Sequence, residues 1–169
     1  MAQVAESQGT MTAVALSAGE LEKLIGAWNG KVVIANFNGP AQNVISGYAD
    51  AIEEIEALLS KQGISFRRLP VSSAFHSPVV AASKGPFLDF LKGIQFSSVN
   101  IPVYANAKAR AYPKKPSMMR QTLAEQISRP VRFLEQVEAM YSDGARVFVE
   151  VGPGNVLTNM INECLKGKP

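Results

Sequence analysis

The sequence holds few of the side chains that build metal sites and disulfide frameworks. Its 169 residues include a single cysteine, Cys164, and a single histidine, His76. One cysteine cannot form a disulfide framework, and one histidine with one cysteine is too few for a typical zinc site. Cys164 lies in the apolar sequence M-I-N-E-C-L, which predicts a reduced packing residue in a cytoplasmic protein. We expect no metal at the functional site.

Long apolar runs and one-sided charge are also missing. No run is long enough to span a bilayer, and residues 1–4 lack the basic start and hydrophobic stretch of a secretion signal. We therefore expect neither membrane insertion nor export. Lys and Arg total 17 against 14 Asp and Glu, a formal net charge of +3. The cations are spread among acids and do not cluster with aromatics, which argues against nucleic-acid binding.

A catalytic nucleophile is missing as well. The sequence contains no G-x-S-x-G nucleophile elbow, and no cysteine lies near His76 in V-S-S-A-F-H-S-P, residues 71–78. A neutral imidazole can take a proton from a hydroxyl or thiol and return it to a leaving group, so His76 is the candidate general base. A base without a nucleophile suggests part of an active site. The alternative is a half-buried histidine whose ring nitrogens are satisfied by the backbone.

Hydrophobic residues make up 47% and charged residues 18%, figures typical of compact globular units. Within the first half, Ser17 and Glu20 form an S-x-x-E capping box, and Asp50 is the predicted cap of a second helix that Gly63 ends. The order strand, helix, strand, strand, helix, strand is the split βαβ pattern of ferredoxin-like folds. The four strands are predicted at residues 10–16, 31–37, 43–47 and 64–71.

The second half alternates differently. A nearly continuous apolar run at 145–151 predicts a buried parallel strand, and it ends in a Gly-Pro-Gly turn before a helix. Only one other good strand follows residue 80, so we expect the end of an α/β domain whose earlier strands lie outside this sequence. The other predicted elements are a short helix at 87–91, a strand at 101–106, a basic loop at 108–116, a helix from Ser117 to Ser128 and a helix at 133–141.

Several segments resemble the acyltransferase domains of polyketide and polyunsaturated fatty acid synthases, the malonyl-CoA:acyl-carrier-protein transacylase family. They occur in the family's order from about residue 9 to the end of the chain. The resemblance implies an α/β fold class with two lobes, a ferredoxin-like βαββαβ subdomain at 10–72 and the C-terminal part of an α/β-hydrolase-like subdomain at 73–169. The matching segments are N-x-N-x-P at 36–40, I-S-G at 45–47, residues 71–78, P-V-Y-A-N at 102–106, R-P-V-R-F at 129–133 and V-E-V-G-P-G-x-V-L at 149–157.

The resemblance also implies roles for individual residues. His76 looks like the family's catalytic base, and Gln126 resembles the residue whose backbone carbonyl orients that imidazole. Phe75 occupies the position that in malonyl-selective members limits the space for an α-methyl group. Ser73 stands at the first position of the motif that usually reads His-Ala-Phe-His, and is a second substrate-binding candidate.

The implied substrate is a coenzyme A thioester, malonyl-CoA, with no covalently bound cofactor. The implied partners are an acyl carrier protein, the remaining N-terminal part of the acyltransferase domain and an adjacent ketosynthase domain. In the family, the G-H-S-x-G elbow, the oxyanion glutamines and a carboxylate-binding arginine precede the position of residue 1. We therefore expect this chain alone to be inactive, because base and nucleophile work as a unit.

Two other functions stay open at this point. Ferredoxin-like sheets often bind nucleic acid or peptides, so the chain can be read as a non-catalytic binding module, or as a degenerate structural remnant. A basic loop is available for an acidic partner such as a carrier protein, and Arg67 with Arg68 is the other docking candidate. The loop carries Lys108, Arg110, Lys114 and Lys115.

Overall fold

The computed structural model describes residues 9–169. These described residues form two sheets, one of four strands and one of two. The strands are β1 (Gly9–Val14), β2 (Val32–Gly39), β3 (Gln42–Tyr48), β4 (Phe66–Arg68), β5 (Tyr104–Ala105) and β6 (Arg110–Ala111). The helices are α1 (Ala18–Ile25), α2 (Ala49–Lys61), α3 (Lys84–Lys92), α4 (Pro116–Glu125), α5 (Phe133–Ser142) and α6 (Val156–Cys164), with 3₁₀ turns at Gly26–Trp28 and Pro78–Ser83.

The first half is a four-stranded antiparallel sheet in the order β2-β3-β1-β4. Helices α1 and α2 pack on the sheet, and the side chains of Leu21, Ile45, Ile52, Ile55 and Leu59 are fully buried in the shared core. Because β1 and β3 are central and the two crossovers each carry a helix, this is the predicted ferredoxin-like arrangement. Among the described residues, no helix combines the length and hydrophobicity needed to span a bilayer.

Two predicted helix ends agree with the structure, the Ser17 capping box and the Gly63 stop directly after the C-cap of α2, and two do not. Ser17 and Glu20 form the predicted capping box. Helix α2, in contrast, begins at Ala49, and Asp50 lies inside its first turn, where its carboxylate accepts from the Ala51 N–H at 2.8 Å. Helix α4 begins at Pro116 and ends at Glu125, so the prediction of a Ser117 cap was wrong. The N–H of the first helical residue has no partner within the helix. Proline has no N–H, so Pro116 suits the first position of α4.

The strands of the second half are shorter than predicted. Only Tyr104–Ala105 of the 101–106 segment is a strand, and it pairs with Arg110–Ala111, inside the segment predicted as a basic loop. In the first half, the strand predicted at 64–71 is limited to Phe66–Arg68. A hairpin needs two segments to pair, and the short connection between β5 and β6 brings them together locally.

The prediction of a buried strand at 145–151 was wrong for the described residues. This segment has no strand partner among residues 9–169. Its valines are exposed, with 83% of Val147, 78% of Val149 and 95% of Val151 accessible to solvent. An apolar run becomes a buried strand only when neighbouring strands and helices cover both of its faces.

The second half is attached to the outer edge of the four-stranded sheet. Phe37 on edge strand β2 donates its N–H to the Val131 carbonyl at 2.8 Å, and the Val131 N–H donates to the Ala35 carbonyl at 2.8 Å. Helices α5 and α6 pack against the same strand, and the Cys164 thiol lies 3.4 Å from the Asn38 carbonyl. Strand β2 therefore joins the two halves.

Candidate active site

The loop between β4 and the turn Pro78–Ser83 carries His76 in a left-handed backbone conformation, with a φ of 57°. Its N–H donates to the Ile127 carbonyl at 3.1 Å, and its ring Nδ1 lies 2.8 Å from the Gln126 carbonyl oxygen. Left-handed residues other than glycine are uncommon and concentrate at functional sites. Two consecutive carbonyls after α4 thus hold both the backbone and the ring of His76.

The contact at Nδ1 selects the imidazole tautomer. A carbonyl oxygen only accepts hydrogen bonds, so the proton of a neutral His76 ring lies on Nδ1. The lone pair then lies on Nε2, to which no residue within 9–169 hydrogen bonds. A ring oriented in this way can accept a proton at Nε2 while the Gln126 carbonyl stabilises the resulting imidazolium.

The Ser77 hydroxyl stabilises the His76 loop through two hydrogen bonds. It donates to the Ala74 carbonyl at 2.7 Å and accepts from the Val79 N–H at 3.2 Å, which caps the turn that follows. Ala74 is fully buried and packs against Gly9 at the start of β1. The His76 loop is therefore fixed to the ferredoxin-like sheet on one side and to the end of α4 on the other.

A cavity of about 250 Å³ lies beside the ring. It brings together the four residues singled out in the sequence, Ser73, Phe75, His76 and Gln126, with apolar side chains that include Phe87. Phe75 is 49% exposed, whereas Ser73 is 5% exposed and its hydroxyl has no hydrogen-bond partner among the described residues. The arrangement offers one proton acceptor in a small, chiefly apolar space.

Three contributors to this site were not identified from the sequence. The Ile127 carbonyl left no signal because a backbone acceptor is common to every residue type. Gly9 lies 65 residues before Ala74, the loop residue that it contacts, so no local pattern connects them. Ser77 could have been found, since serine directly before proline is a typical start of a helical turn.

Within the described residues, no thiol or metal site accompanies His76. No group of three or more His, Cys, Asp or Glu side chains in residues 9–169 could hold a metal ion. Cys164 lies beside Asn38 rather than at the His76 cavity. Burial, together with the negative charge of Glu138, raises the pKa of its thiol and so makes it a poor nucleophile.

The basic residues proposed for docking differ in their surroundings. Arg68 is held by two acids of α2, at 2.6 Å from Glu56 and 3.3 Å from Glu53. Lys108 lies 3.6 Å from Glu125, and Lys114 and Lys115 are exposed. Arg68 thus has a structural role within the small lobe.

Comparison with known proteins identifies the family of this chain. The model of the acyl transferase domain matches residues 1–169. The polyketide biosynthesis malonyl CoA-acyl carrier protein transacylase PksC of Bacillus subtilis is 41% identical over 137 residues, which cover 80% of this chain and 47% of that protein. The corresponding transacylase BaeC of Bacillus velezensis is 39% identical over 131 residues, 76% of this chain and 45% of that protein.

Comparison with solved structures gives the same family. The malonyl CoA-acyl carrier protein transacylase of Burkholderia pseudomallei superposes with a TM-score of 0.90 at 31% identity, covering 100% of this chain and 59% of that one. The fold class predicted from the sequence is therefore confirmed. The chain spans about half the length of PksC and of BaeC. With a match over its whole length, this chain belongs to the acyl transferase domain family.

Proposed function

We propose that the chain is the histidine-bearing part of an acyltransferase that moves a malonyl group from coenzyme A to the phosphopantetheine thiol of an acyl carrier protein. The observation that carries the proposal is the 2.8 Å contact between His76 Nδ1 and the Gln126 carbonyl, which leaves Nε2 free at the edge of a cavity. The nucleophile is a serine outside these 169 residues, which contain no G-x-S-x-G.

In the first half-reaction the serine hydroxyl attacks the malonyl thioester carbonyl, and its proton passes to His76 Nε2. The tetrahedral intermediate collapses, the C–S bond breaks, and the imidazolium returns the proton to the departing coenzyme A thiolate. In the second half-reaction Nε2 takes the proton of the carrier's thiol, which attacks the malonyl-serine ester. The tetrahedral intermediate collapses, the C–O bond to the serine breaks, and the imidazolium returns the proton to the serine oxygen. Gln126 acts throughout by holding the ring.

The names of relatives support the substrate and the partner. PksC is described as a malonyl CoA-acyl carrier protein transacylase. A complex described as a type II polyketide acyl-carrier protein with its malonyl-transacylase superposes with a TM-score of 0.87 at 27% identity, covering 95% of this chain and 53% of that chain. We carry both properties to this chain as part of the proposal, together with a cytoplasmic location. A neighbouring ketosynthase domain stays a prediction.

Phe75 is the proposed selectivity residue. Its ring is half exposed and lines the same cavity as His76, so in this proposal it limits the space for the acyl unit beside the imidazole. An α-methyl group on the acyl unit would have to enter that volume. We expect Phe75→Ala to raise transfer of methylmalonyl relative to malonyl by about tenfold, the order of effect that one methyl group produces in a pocket.

The exposed segment 145–151 supports the placement of this chain inside a larger domain. Three of its valines face solvent, an arrangement that neighbouring strands would cover. We propose that the remaining part of the domain supplies those strands and, with them, the nucleophile. The lobe boundaries at 10–72 and 73–169 belong to the same proposal.

The test is a chimera. The part of Bacillus subtilis PksC that this chain matches is replaced by the chain, and transfer of labelled malonyl from malonyl-CoA to a purified holo carrier protein is measured. We expect transfer by the chimera and none by the 169-residue chain alone. His76→Ala in the chimera should reduce the rate by about a thousandfold or more.

Lys61→Ala, an exposed change at the end of α2, is the control and should leave the rate unchanged. Serine-dependent transfer by the isolated chain would overturn the proposal that the nucleophile lies outside these 169 residues. A folded chimera in which His76→Ala transfers malonyl as fast as its parent would overturn the role of His76. A folded chimera without any transfer would favour the degenerate remnant.

A further inference from the structure

A second cavity, of about 520 Å³, lies on a different face of α4 from the His76 cavity. Four cationic side chains line it against a single acid: Lys108, Arg110, Arg129 and Arg132 against Glu125. A concave surface with three more positive than negative charges attracts anions strongly, because its walls also reduce the screening by water.

Not all of these cations are neutralised by protein carboxylates. Lys108 lies 3.6 Å from Glu125, and Arg132 lies 2.5 Å from Glu135. Arg110 and Arg129 have no carboxylate within 4 Å among residues 9–169. A planar guanidinium presents two parallel N–H donors, which match the oxygens of a phosphate or carboxylate.

The backbone that carries two of the cations is held in an unusual conformation. Ala109, between Lys108 and Arg110, has a φ of 48°, and the Lys108 N–H donates to the Ala105 carbonyl at 3.2 Å. A left-handed alanine is uncommon and costs conformational energy. The β5–β6 turn therefore fixes the backbone from which these two side chains extend to the cavity.

We propose that this cavity binds the phosphate of a 4′-phosphopantetheine arm, an inference that rests on the proposed function. In that reaction both the acyl donor, coenzyme A, and the acceptor, the carrier protein, present their sulfur on this same arm. Its phosphate is the strongly anionic group that the two share.

The position of the cavity fits such an arm. Glu125 lines the basic cavity, and the next residue, Gln126, lines the His76 cavity. A phosphate bound at the first cavity would let the flexible pantetheine chain pass the end of α4 towards the imidazole. The basic cavity also has apolar walls, which suit the dimethyl group next to the phosphate; they are Ala105, Ala111, Pro113 and Met118.

The test compares two ligands that differ only in the phosphate. Binding of 4′-phosphopantetheine and of pantetheine to the 169-residue chain is measured by calorimetry at low and at high NaCl. We expect phosphopantetheine to bind at least about tenfold more tightly, with a difference that shrinks as salt rises. Equal affinities would overturn the proposal, as would inorganic phosphate binding as tightly as phosphopantetheine.

Substitutions at Arg110 and Arg129 test whether the phosphate binds in this cavity. Arg110→Ala and Arg129→Ala should each weaken phosphopantetheine binding by about tenfold and leave pantetheine binding unchanged, whereas Arg129→Lys should keep part of the affinity. Lys61→Ala removes one exposed positive charge on α2 and should change neither. Unchanged phosphopantetheine affinity in the folded Arg110→Ala, Arg129→Ala double variant would overturn the site.

The source of the phosphate is decided by two further ligands. If coenzyme A competes with phosphopantetheine, the cavity binds the acyl donor. If the holo carrier competes and the apo carrier does not, the cavity binds the acceptor. Competition by neither ligand overturns the proposal. Failure of the two proposals is distinguishable. Arginine-dependent phosphopantetheine binding with an inactive chimera refutes only the acyl transfer, whereas an active chimera without such binding refutes only the phosphate site.

Discussion

Gly9 on β1 and Ala74 on the His76 loop approach so closely that a Cβ at position 9 would lie 2.7 Å from the Cβ of Ala74 and 2.8 Å from its nitrogen. Real side chains do not make contacts that short, so any residue other than glycine must push the loop away. Since Ala74 also accepts the Ser77 hydroxyl hydrogen bond, the displacement would reach the residue next to His76.

Gly9→Ala should therefore lower the free energy of unfolding by about 1–3 kcal/mol, the usual cost of an added methyl group in a packed place. It should also move the His76 ring signals in NMR spectra. Gly19→Ala is the matched control, because nothing lies within 4 Å of a Cβ there and alanine favours helix α1. Urea unfolding measures the first effect; equal stability of both variants would contradict the tight contact.

The tautomer of His76 can be observed directly, because it is the only histidine. Long-range ¹H–¹⁵N correlation of the neutral ring should show Nδ1 protonated and Nε2 bearing the lone pair, as the Gln126 carbonyl requires. The unfolded chain in urea serves as the reference, where the ring has no fixed partner. A native ring with its proton on Nε2 would rule out the contact in solution.

Glu150 caps helix α6 from outside the helix. Its carboxylate accepts from the Thr158 hydroxyl at 2.7 Å, the Thr158 N–H at 2.9 Å and the Leu157 N–H at 3.2 Å. These bonds, the Thr158 hydroxyl first among them, lower the pKa of Glu150. Its contribution to stability is then present above the ordinary glutamate pKa of about 4.3 and is lost as pH falls through the lowered value.

Glu150→Gln should accordingly destabilise the protein near neutral pH, and the difference from the parent should shrink as pH falls below about 4.3. Urea midpoints between pH 7 and pH 3 measure it. Asn155→Ala, which removes a side chain that makes no capping hydrogen bond, should show no such pH dependence. A difference that stays constant with pH would exclude the carboxylate cap.

The buried Cys164 supplies a prediction about thiol reactivity. Its thiol is buried, which raises its pKa, and the Glu138 charge adds to the effect. The native thiol should react slowly with a disulfide reagent near neutral pH and rapidly once urea unfolds the chain. With one cysteine in the chain, the colour yield reports this residue alone.

The raised pKa of Cys164 also lowers the free energy of unfolding at high pH. The unfolded thiol ionises near its ordinary pKa of about 8.5 while the folded thiol stays neutral, so the Cys164 contribution is complete below that pH and is lost as pH rises through the folded value. Cys164→Ala should remove this component of the alkaline slope. Tyr112, whose pKa burial also raises, acts in the same direction but is present in both proteins and cancels in the comparison. Identical slopes would contradict the raised pKa.

Most of the ferredoxin-like half was predictable because its signals are local. The Ser17 capping box and the stop of α2 at Gly63, which follows the helix C-cap with a φ of 67°, each depend on residues within a few positions of each other. The strand at 145–151 was not predictable in the same way. Its apolar composition is that of a buried strand, but strand formation requires partners that residues 9–169 do not provide.

The sequence by itself determined the family, the order of strands and helices in the ferredoxin-like half, and four of the nine residues that line the His76 cavity, because order and residue type are properties of the linear chain. The tertiary structure decided what brings them together: Gly9 beneath Ala74, the carbonyls of Gln126 and Ile127 facing His76, and four cations around one cavity. These contacts join positions far apart in the chain, many of them through backbone atoms that every residue shares. Only folding determines which of those atoms meet.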